Sequence, residues 1–65
     1  MASELRKWRK ERGWDLADIS GLSGRSISYL SRVERGLYDP PPATKVQIAR
    51  AVGAKVAEIF PREAA

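Results

Sequence analysis

Residues 26–36 read SISYLSRVERG, and the folding of this stretch decides the architecture of the chain. Its first half alternates polar and apolar residues as a strand does, while Ile27, Leu30 and Val33 recur at every third position as on a helix. A strand needs a partner, and the chain has no second run of alternating, β-branched residues. A helix needs start and stop signals, which Ser26 provides as N-cap and Gly36 as the residue beyond the C-cap. Over 26–35, at about 100° per residue, the inward side holds Ile27, Leu30, Val33, Glu34 and Leu37. Arg25, Ser28, Arg32 and Arg35 face outward, with Tyr29 and Ser31 on the flanks.

The segments on either side read as helices too. Ser3 is an N-cap candidate for a first helix over 4–12, ended by Gly13, with Arg6, Lys7, Lys10 and Arg12 on its polar face. Asp15 caps a second helix over 16–23, with Leu16, Ile19, Ser20 and Ser23 inward, Asp18 outward and Gly24 as breaker. LYDPPP is a stiff connector, and Pro42 suits the first turn of a fourth helix over 42–52, with Val46, Ile48, Ala49 and Val52 apolar. A last turn or two over 55–60 groups Val56, Ile59 and Phe60 before Pro61, and the tail PREAA is expected to fray. The whole is an all-α, five-helix single domain, with its core over about 3–60.

Composition bounds what such a domain can do. A chain of 65 residues buries only about 60% of its unfolded surface. With no cysteine or histidine it has no disulfide and no common zinc cluster to help. Trp8 and Trp14 are therefore read as core. The same absences, with no phosphate-binding glycine loop and no carboxylate cluster at metal spacing, leave no catalytic residues, cofactor or metal to expect. No apolar run nears the roughly 18 residues that cross a bilayer, and the charged start is unlike a secretory signal, so a cytoplasmic protein with no membrane partner is expected. Net charge is +4, and residues 1–36 hold eight of the twelve basic side chains against five acidic ones, which favours a polyanionic partner.

Two short helices joined at a glycine, the second with a polar outward face, outline a helix-turn-helix. The segments LRKWRKERGWDLADIS, SYLSRVERG, DP and IARAVGAKVAEIF, in that order, resemble the lambda-repressor and Cro-like, Xre-type family of DNA-binding domains from Ser3 to Phe60. The resemblance implies that the third helix enters the major groove of double-stranded DNA while the second lies across the backbone. It implies roles for Ser26, Ile27, Ser28, Tyr29 and Arg32 in the groove, with Arg32 suited to a guanine. Arg25, Arg35, Tyr38 and Lys45 become candidate phosphate contacts. Arg9 and Glu34 occupy the positions of a structural ion pair in that family.

The sequence departs from the family pattern at three places. Arg25 stands where many members have an apolar turn residue, and Leu16 where many have a glutamine that anchors to phosphate. GLS at 21–23 itself looks like the family turn, which leaves two starts for the third helix, Ser23 or Ser26. The outward set Arg25, Ser28 and Arg32 survives either choice, whereas Ile27 is core in one and a thymine-methyl contact in the other. The implied function is a sequence-specific transcriptional regulator acting as a homodimer, since one module reads few bases alone. Val56, Ile59 and Phe60 are claimed both by the core and by that dimer interface. The alternative is a protein-interaction module, such as an antitoxin-type partner protein that keeps the fold, and a regulatory protein partner fits either reading.

Overall fold

The computed structural model describes residues 4–61. Five helices lie where the start and stop signals stand: α1 (Leu5–Glu11), α2 (Leu16–Ser23), α3 (Ile27–Glu34), α4 (Pro42–Val52) and α5 (Val56–Ile59), with no strand among the described residues. The expected cap Ser3 lies outside that range, and Glu4 holds the N-cap position of α1. Its backbone N–H donates to the Ile59 carbonyl at 2.7 Å, which ties the first helix to the last.

The turn between α2 and α3 is fixed by local chemistry. Gly24 ends α2 with φ +74°, a left-handed conformation that side chains with a Cβ rarely adopt. Ser20 Oγ donates to the Arg25 carbonyl at 2.6 Å, and the Arg25 N–H donates to Ser23 Oγ at 3.3 Å. Ser26 Oγ accepts the Tyr29 N–H at 3.1 Å. This cap places the start of α3 after Ser26, and Ser23 is the last residue of α2, so the longer third helix does not form.

The core draws on all five helices: Leu5, Trp8, Ile19, Leu30, Val33, Ile48, Ala49, Val52 and Ile59, with Phe60 just beyond α5. Trp14 packs against this cluster, its ring edge-on to Trp8 at 5.5 Å. α4 packs on both α2 and α5, and α5 closes on α1. The C-terminal residues Ile59 and Phe60, 0% and 5% exposed, are therefore spent on the core and not offered to a second subunit.

Two apolar side chains expected inside, Ile27 and Leu37, are outside, and Val46 is exposed as well. Ile27 is 49% exposed: three residues before Leu30 it sits about 60° off the centre of the buried face, in a first turn where no preceding turn completes the wall. Leu37 is 66% exposed because Gly36, at φ +74°, stops the helix and turns the chain outward. The reversal is held by Leu37 N–H to Arg32 carbonyl at 2.9 Å and Gly36 N–H to Val33 carbonyl at 3.1 Å. Val46 is exposed because it lies about 200° around α4 from the buried Ile48.

Candidate nucleic-acid interface

α3 has two unlike faces. Leu30, Val33 and Glu34 are buried, and Glu34 meets Arg9 of α1 in a two-pronged contact, Nε to Oε2 at 2.7 Å and Nη2 to Oε1 at 3.0 Å. Arg9 Nη1 also donates to the Trp14 carbonyl at 2.9 Å, so one guanidinium links α1, the loop before α2 and α3. The Glu34 hydrogen bond, followed by its charge, outweighs burial and raises the Arg9 pKa above its ordinary value. This pair fixes the rotation of α3 about its axis, and with it what the other face shows.

That other face carries Ser26, Ile27, Ser28, Arg32 and Arg35, all exposed. Arg35 lies just past the helix end, its Nε donating to the Ser31 carbonyl at 3.4 Å. Arg32 borders a cleft of about 260 Å³ that Tyr29, Leu37 and Tyr38 also line. Tyr29 is half-buried and packs on the core, its ring edge-on to Tyr38 at 5.3 Å. Burial, then its hydrogen bond to Tyr38, pushes the Tyr29 phenol above its ordinary pKa. Tyr29 is thus a buttress of the face more than a projection from it, while Tyr38 is exposed beside it.

Two of the candidate phosphate contacts are engaged inside the domain. Lys45 is 4% exposed, with its ammonium 2.7 Å from Asp39 and over the Phe60 ring at 5.4 Å. Its place at the inner edge of α4 makes it part of the framework, not of the surface expected to meet phosphates. Arg25 is half-buried in the turn, its guanidinium 5.5 Å from the centre of the Tyr29 ring. Its Nη2 donates to Gln47 Oε1 of α4 at 2.6 Å. Gln47 is not legible in the sequence as a neighbour of Arg25, because the packing of α4 against α2 brings it to the turn.

A framework-anchored helix presenting serines and an arginine, preceded by a glycine turn, defines a helix-turn-helix module. The chain belongs to that family: a family model described as a helix-turn-helix domain matches residues 1–59. It is similar to the HTH-type transcriptional regulator DdrOP3 of Deinococcus deserti, 37% identical over 60 residues, which covers 92% of this chain and 46% of that protein. It is also similar to an uncharacterized HTH-type transcriptional regulator, y4dJ, of Sinorhizobium fredii, 32% identical over 59 residues, 91% of this chain and 77% of the other. The chain thus spans less than half the length of the first. No solved structure matches it significantly. No helix among the described residues is long and apolar enough to cross a membrane.

Proposed function

We propose that this chain is a sequence-specific, double-stranded DNA-binding transcriptional regulator whose α3 reads the major groove. The observation that carries the reading is the division of α3: one face locked to α1 through Arg9 and Glu34, the other offering Ile27, Ser28 and Arg32 to solvent. Serines are poor helix formers, so Ser28 and Ser31 in a purely structural helix have no local benefit. The names borne by the two relatives point the same way.

In the proposed complex Arg32 donates two hydrogen bonds to a guanine, a contact worth about 1–3 kcal/mol of discrimination. Ser28 meets a neighbouring base edge and Ile27 a thymine methyl. Arg25, Arg35 and Tyr38 hold phosphates and set the approach without reading sequence. Two copies bind a site with two related halves, since one module of this size makes too few base contacts for high affinity.

Selection of bound duplexes from random DNA tests this. A consensus with two related halves supports it, and the absence of any enrichment refutes it. The second reading, a protein-interaction module, is favoured by one observation, an open groove of mixed polarity lined by Trp14, Ala17, Asp18, Gly21 and the exposed Leu22. Binding to DNA that is weak and indifferent to salt would select that reading.

A further inference from the structure

Arg25 is held by a neutral side chain from α4. Arg9 and Lys45 each pair with a carboxylate, which orients them and offsets their charge. Arg25 has no carboxylate partner among the described residues, and its head group is held by a neutral amide, the Gln47 Oε1 at 2.6 Å. Its main chain is pinned as well, with the carbonyl accepting from Ser20 Oγ and the N–H donating to Ser23 Oγ. The side chain is therefore ordered while its full positive charge and most of its five N–H donors stay available.

That combination suits one ligand chemistry. A guanidinium fork matches the paired oxygens of a phosphodiester, and its affinity falls if a flexible side chain must first be ordered. Arg25 immediately precedes the N-cap of α3, where the backbone flanking the groove would pass. A carboxylate in place of the amide would orient Arg25 equally well but cancel the charge that the phosphate needs.

Building on the DNA-binding reading above, we propose that Gln47 is a positioning residue that presents Arg25 to a backbone phosphate. α4 thereby contributes to binding without touching a base. The contribution is independent of sequence, because phosphate contacts position and do not read.

The experiment is a double-mutant cycle between Arg25 and Gln47, read as binding of a mixed-sequence duplex over a salt series. Gln47→Ala weakens binding by about two- to twelvefold, the ordering cost of one long side chain, and leaves the salt slope unchanged. Arg25→Ala lowers the slope of log K against log salt by about 0.9, one phosphate. Gln47→Glu lowers the slope as Arg25→Ala does, because the new carboxylate neutralises the guanidinium. In the Arg25→Ala background Gln47→Ala has no further effect. Thermal unfolding of each variant separates this from folding, and the exposure of Gln47 favours intact domains. If Gln47→Ala weakens binding equally in both backgrounds, or leaves it unchanged in the native chain, the assignment is overturned. If the native chain binds no duplex at all, the DNA reading falls first and the Gln47 assignment falls with it.

Discussion

Arg9 and Glu34, twenty-five residues apart in sequence, meet in a two-pronged ion pair at 2.7 and 3.0 Å, with side chains only 13% and 5% exposed. Removing either partner strands a buried charge, and Arg9→Met or Glu34→Leu alone is expected to cost about 3–5 kcal/mol. That approaches the whole stability of a domain this small, roughly 3–10 kcal/mol. The double variant Arg9→Met, Glu34→Leu is expected to recover most of the loss, because neither charge is then buried alone. Urea midpoints of the four chains check this. Because the Arg9 pKa is raised, its contribution is complete at neutral pH and is lost only as pH climbs through that raised, strongly alkaline value.

Ile27 and Leu30 lie one turn apart on α3 and differ in environment. Leu30→Ala is expected to cost about 2–5 kcal/mol by opening a cavity in the core. Ile27→Ala is expected to stay within about 0.5 kcal/mol of the native chain and to weaken binding where a thymine faces it. Denaturation midpoints, with binding to a selected site and to its deoxyuridine-substituted version, separate the two residues.

Lys45 gives the contrasting case of a cation spent on the framework. Lys45→Ala removes the pairing with Asp39 and the packing over Phe60, and is expected to destabilise by about 1–3 kcal/mol. The salt slope of DNA binding is expected to remain that of the native chain, since no phosphate contact is lost. Unfolding curves and a salt series on the same variant check both halves of the statement.

Tyr29 is expected to set an alkaline limit on the fold. Its pKa is raised in the folded state, by burial first and then by Tyr38, so its contribution is present in full below the ordinary tyrosine value and is lost as pH rises through the raised one. Stability followed by urea midpoints above about pH 10 is expected to fall, and to fall less steeply in Tyr29→Phe.

Much of this is legible in the sequence because the signals are local. Asp15, Gly24, Ser26, Gly36, Pro42 and Gly53 punctuate the helices by capping and turn chemistry, and the helix bounds follow from them. Periodicity finds Leu30, Val33 and Ile48, which sit at the centres of buried faces. It misplaces Ile27 and Leu37, because position along a helix and the chain's direction after a glycine decide burial at the margins of a face. Lys45 and Gln47 could not be placed from spacing at all, since Lys45 meets Asp39 of the connector and Phe60 beyond α5, and Gln47 meets Arg25 of the turn through the docking of α4 on α2.

The central claim is that the outward face of α3 reads sequence, and selection from random duplex DNA with the native chain and with Arg32→Ala and Ser28→Ala tests it most directly. The expected result is a consensus of two related halves, with Arg32→Ala relaxing a guanine in each half by about 1–3 kcal/mol and Ser28→Ala altering a neighbouring position. An unchanged consensus in both variants, or no enrichment by the native chain, would contradict it.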